Sequence, residues 1–112
     1  MTQAASVFQE NPLWMRVLML VGANGLALWS DVEAAEDVIK PRLLLVKHEA
    51  IGRTCAATLM VLAMLEMECA ECQPQWALPA RKMWAALHRE CAPAVHLDSF
   101  FLEACTALMA TP

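Results

Sequence analysis

Residues 41–69 read PRLLLVKHEAIGRTCAATLMVLAMLEMEC, from Pro41 to Cys69, and this stretch decides the fold. Leu44, His48, Ile51, Cys55, Leu59, Leu62, Leu65 and Cys69 recur at spacings of three and four, the period of one helix face. Gly52 is the one strong interruption, so the spacing predicts a long central helix near residues 41–69. Between Cys55 and Leu65 the other faces turn apolar as well, through Ala56, Ala57, Met60, Val61, Ala63 and Met64. A helix that is apolar all round must be covered all round, either at the centre of a bundle or in a subunit interface. Cys55, Leu59, Leu62, Met64 and Leu65 are accordingly the candidate dimer-interface residues.

Working outward, the punctuation continues to mark helices. Asn11-Pro12 combines an N-cap residue with the proline favoured at a first helical position, and the apolar run Leu13–Trp29 follows it. Gly22 and Gly25 mark a bend or a stop within that run. Ser30-Asp31-Val32-Glu33 has the form of a capping box, which predicts a helix from Asp31 that Pro41 ends near Ile39 and Lys40. Gln73-Pro74-Gln75 reads as a linker and Pro79 as the opening of a helix that Pro93 ends. Met83, Trp84, Leu87 and Cys91 lie on one side of that helix. Asp98 is the expected N-cap of a last helix whose stripe is Phe101, Leu102, Cys105, Leu108 and Met109. With no strand alternation, no hairpin dipeptide and no internal repeat, the chain reads as one all-α domain, residues 1–112, a bundle of four to five helices.

Composition then says what such a bundle is for. Of the 112 residues 59% are hydrophobic and 18% charged, against about 45–50% apolar in an ordinary soluble domain on a count that includes glycine. A chain of this size hides only about two-thirds of the surface it exposes when unfolded, so apolar surface is left over for a partner. The net charge of −4 disfavours direct nucleic-acid binding, because phosphate neutralisation needs a basic face. The small group Lys40, Arg42, Lys47 and Arg53 is too sparse to supply one. Arg16 and Asn24 interrupt the run Leu13–Trp29, which is also short of a bilayer span, so no membrane insertion is expected. Five cysteines, most of them within apolar helical patterns, read as reduced thiols in a cytoplasmic protein.

Two sets of residues carry the candidate sites. Leu13, Trp14, Val17, Leu18, Val21, Leu28 and Trp29 form the candidate partner-binding surface, because a small bundle struggles to bury both this run and the helix at 55–65. Eight Met and 4 Trp with no Tyr fit such a role, since Met-rich faces repack around partners and Trp is enriched at hot spots. The competing set is Cys69-Ala-Glu-Cys72 with His88-Arg-Glu-Cys91, two pairs with the spacing of a structural zinc site. Buried or semi-exposed free thiols explain the same residues without a metal, and no cofactor is expected. His48 lies on an apolar face, and His96, Asp98 and Ser99 are close in sequence but do not build a triad. With no nucleophile, base and orienting group to assemble, an enzyme is not expected.

The apolar first helix opening at Asn11-Pro12-Leu13-Trp14-Met15 and the Met-rich run Thr58-Leu59-Met60-Val61-Leu62-Ala63-Met64-Leu65 give the chain a profile that resembles the small helical antiactivators of LuxR-type quorum-sensing receptors. The resemblance spans the whole chain as a profile and rests on no diagnostic motif. It implies a homodimer that binds the ligand-binding domain of a transcriptional regulator and prevents that regulator from dimerising on DNA. The alternatives are a small zinc-stabilised domain and a phage-type inhibitor of another protein machine.

Overall fold

The computed structural model describes residues 12–35, 52–90 and 97–109. Among them the fold is all-α, with five α-helices and a 3-10 turn: α1 Leu13–Leu18, α2 Trp29–Ala34, α3 Arg53–Glu68, the turn Ala70–Cys72, α4 Gln73–Glu90 and α5 Leu97–Met109. Helix α3 is the axis of the molecule. Its largest contacts are with α5 and then α4, while α1 and α2 close the remaining sides. Every residue from Cys55 to Leu65 is buried, and the helix emerges only at Glu66, Met67 and Glu68. Eleven consecutive residues make three full turns, so burial on that scale requires protein on all sides of the axis. Each fully buried Leu, Met or Val there contributes about 1.5–3 kcal/mol relative to an exposed one.

The central helix is shorter at its start than the spacing predicts. Gly52 has φ +88° and ψ 158°, a conformation open essentially to glycine alone, and α3 begins at the next residue. Residues 41–51, including His48 and the proposed end of a helix at Pro41, lie outside the described residues, as do Asn11, Cys91 and His96.

Three further boundaries differ from expectation. The run Leu13–Trp29 is not one helix: α1 stops at Leu18, and residues 21–27 form a tight loop held by a Val21–Ala27 bridge. Ser30 and Glu33 make no capping box, because Leu28 is the N-cap residue of α2, with no side-chain cap, and α2 opens at Trp29. Arg53 compensates in part by placing its guanidinium 5.9 Å from the centre of the Trp29 ring, which ties the start of α3 to α2. Helix α4 begins at Gln73 rather than Pro79, so the expected linker is its first turn. Pro74 is tolerated there because the first amides of a helix have no partner within it. Pro79 leaves the Gln75 carbonyl without its usual donor, and Gln75 is exposed to water. In α5, Leu97, Ala104 and Leu108 are buried while Leu102 and Met109 point out, so the apolar stripe is rotated from the expected one.

Candidate functional site

Part of the apolar surface left over by this core lies where the loop after α1 meets α4. In the loop, the Gly25 amide donates to the Gly22 carbonyl at 3.0 Å and the Gly22 amide donates to the Leu26 carbonyl at 2.9 Å. Asn24 steadies the turn by accepting from the Leu26 amide through Oδ1 at 3.1 Å. Gly25 has φ +85°, and a Cβ placed on it would lie 3.1 Å from the Lys82 carbonyl oxygen and 3.2 Å from the Ala86 Cβ. Glycine therefore serves twice at this position, for the turn and for a close approach to the α4 backbone.

A second anchor lies inside the core. The buried Thr58 hydroxyl donates to the Thr54 carbonyl at 2.8 Å and accepts from the Ala27 amide at 2.8 Å. The loop is thus fixed to α4 by packing and to α3 by a hydrogen bond. Between the loop and α4 this leaves an open groove of about 470 Å³. Leu18, Val21, Leu78, Pro79 and Met83 supply its apolar lining, together with the backbone at Gly22 and Gly25, and Lys82 supplies the charged side chain. Leu78 and Lys82, four residues apart, share one face of α4. Leu78 is 72% exposed and Met19, next to the groove residue Leu18, is 62% exposed. An exposed leucine on an apolar groove makes this the candidate docking surface.

The candidate partner-binding residues divide into three. Val17 is fully buried and belongs to the core; Leu13, Trp14, Leu18, Val21 and Trp29 are half-buried against it; Leu28 is exposed. Leu18 and Val21 are the two of these that line the groove. The candidate dimer-interface residues offer no surface. Cys55, Leu59, Leu62, Met64 and Leu65 are all buried within a single chain, because α1, α2, α4 and α5 already cover α3.

The zinc set is not assembled. Among the described residues no three His, Cys, Asp or Glu side chains are grouped to hold a metal ion, and Cys69, Cys72 and His88 are all described. The geometry explains why: Cys69 and Cys72 lie just before the start of α4, whereas His88 is fifteen residues further along it from Gln73, about 22 Å at the helical rise. The indole of Trp76 donates to the Cys69 carbonyl at 2.8 Å, and His88 instead lies beside Trp84, ring centres 6.3 Å apart and tilted by 33°. Trp84 also meets Phe101 of α5 edge-on at 5.3 Å. Cys69, Cys72 and Cys105 are free thiols, and burial pushes Cys69 and Cys105 up from the ordinary thiol range. Cys55 is disulfide-bonded, which overturns the expectation that every thiol is reduced. Among the described residues no helix is long and apolar enough to cross a membrane.

Sequence reasoning did not single out Leu78, Lys82 or Thr58. The expectation of no hairpin dipeptide fails at Asn24-Gly25, the dipeptide of tight hairpin turns, which lies at the centre of the loop closed by the Val21–Ala27 bridge. The groove follows from that turn and from starting α4 at Gln73. Neither a protein-family model, nor a curated protein, nor a solved structure matches the chain.

Proposed function

We propose that the chain is a protein-binding regulator that inhibits a transcriptional activator of the quorum-sensing type by occupying the activator's dimerisation surface. The observation that supports this reading most is the apolar groove lined by Leu18, Val21, Leu78 and Met83, with Leu78 exposed at it. It reverses the direction of docking expected from sequence. Instead of a Leu13–Trp29 helix laid into the target, an apolar side chain from a target helix enters the groove, in the manner of helix-in-groove recognition. Leu78 and Met19 then supply adaptable contact area around it, and Lys82 favours a target with a carboxylate near its apolar anchor.

The self-association implied by the resemblance moves away from α3. Leu102 and Met109 are 64% and 71% exposed and lie seven residues apart on one face of α5, which supports that stripe as the proposed contact for a second copy. The disulfide at Cys55 leaves a cytoplasmic location without the support that reduced thiols would lend it.

The test is a titration of the purified chain into the ligand-binding domain of a LuxR-type activator from the same genome, followed by light scattering. The reading expects a mixed complex in place of the activator dimer, and Leu78→Asp to weaken it at least tenfold with helical circular dichroism unchanged. An activator dimer that persists at saturating concentrations of the chain would end the proposal.

A further inference from the structure

We infer that Cys69 and Cys72 are a redox-responsive dithiol that closes an intramolecular disulfide across the 3-10 turn between α3 and α4. The Cys72 amide donates to the Cys69 carbonyl at 2.9 Å, closing a four-residue turn. Such a turn holds its end Cα atoms within about 7 Å, and a disulfide accepts Cα separations of about 4.4–6.8 Å. Both thiols are free, Cys69 buried and Cys72 half-buried, so Cys72 is the more accessible of the two to a reagent. After desolvation, Cys72 is the largest cause of the upward shift at Cys69, which places the two sulfurs within each other's field.

The co-reactant is a small disulfide such as oxidised glutathione. The Cys72 thiolate attacks one of its sulfurs, forming a mixed disulfide and expelling one glutathione thiolate. Cys69, deprotonated, then attacks the Cys72 sulfur and expels the second. Two electrons pass from the protein dithiol to the glutathione disulfide, and the two thiol protons end on the two glutathione thiols. A ring of four residues constrains the unfolded chain very little, so the bond is a poor staple and readily reversed. A bond so readily reversed makes the pair responsive to redox poise. Its reporter is Trp76, whose indole shares the Cys69 carbonyl with the Cys72 amide.

The experiment equilibrates the whole chain in glutathione buffers of graded poise, quenches with acid, alkylates with N-ethylmaleimide and cleaves after glutamate. Cleavage at Glu68 and Glu71 puts the two cysteines on separate peptides. The expected result is a cross-linked species of residues 69–71 and 72–90 that grows with oxidised glutathione and vanishes on reduction. Trp emission should change with the same midpoint, and this change should be absent in Trp76→Phe. Cys72→Ser, checked for folding by thermal denaturation, should lose both signals. Alkylation of both cysteines at every poise, arrest at a Cys72–glutathione adduct, or an unchanged emission response in Cys72→Ser would overturn the inference.

Discussion

The Ala27 amide donates to the Thr58 hydroxyl at 2.8 Å across 31 residues of sequence, and both residues are fully buried. This bond joins the loop that borders the groove to the helix that organises the core. Thr58 is the one buried polar residue in α3, and its hydroxyl is satisfied on both sides, as donor to Thr54 and acceptor from Ala27. Replacing it with Val keeps the shape but strands the Ala27 amide. Thr58→Val is therefore expected to cost about 1–3 kcal/mol in urea denaturation, whereas Thr58→Ser, which keeps the hydroxyl, costs less.

Gly25 and Gly22 separate two roles of glycine in that same loop. Gly25→Ala combines a positive φ with contacts of 3.1 and 3.2 Å to α4, and is expected to lower stability by about 1–3 kcal/mol. Gly22 has no positive φ, and its nearest neighbour is the Asn24 side chain at 3.3 Å, so Gly22→Ala should cost less. Urea midpoints of the two variants, measured side by side, check the order.

Chemical labelling tests the cysteine assignments. In the native protein Cys72 and Cys105, both half-buried, should alkylate first, Cys69 should follow slowly, and Cys55 should react only after reduction. Peptide mapping by mass spectrometry distinguishes the four positions. Labelling of Cys55 in denatured, unreduced protein would show that its disulfide is absent.

Alkaline pH should destabilise the fold through the buried thiols. Burial raises Cys69 and Cys105 in the folded state, with Cys72 and Glu68 adding to the first and Glu66 to the second. The unfolded chain releases these protons nearer the ordinary value of 9.0, so above it the native state holds the larger number of protons. Stability is then fully present below about 9 and falls as pH rises further. The urea midpoint should decline on the alkaline side of 9.0, and Cys105→Ala should make that decline shallower.

How much of this was legible in the sequence depended on the range of the interaction. The apolar run Cys55–Leu65 announced a helix covered on every side, and it is one, because its all-round pattern leaves no other stable placement. Whether a second copy or the same chain covers it is a matter of how α1, α2, α4 and α5 pack, and no local spacing encodes that. Proline was misread at both ends of one turn: Pro74 and Pro79 resemble linker and helix start, yet α4 absorbs them where its amides are unpaired or its carbonyls are wet. Gly22 and Gly25 correctly marked the break in Leu13–Trp29. The depth of that break, and the groove it creates with Leu78 and Met83, depends on Thr58 and on α4, both far away in sequence.

The central claim is that the groove between the residue 18–25 loop and α4 displaces an activator from its own dimer. Fluorescence anisotropy of a labelled operator bound by a LuxR-type activator from the same genome tests it most directly. The account predicts that the wild-type chain releases the operator in a saturable way and that a folded Leu78→Asp variant needs at least tenfold more to do so. Release by Leu78→Asp at wild-type concentrations, or an operator complex indifferent to the wild-type chain, would contradict it.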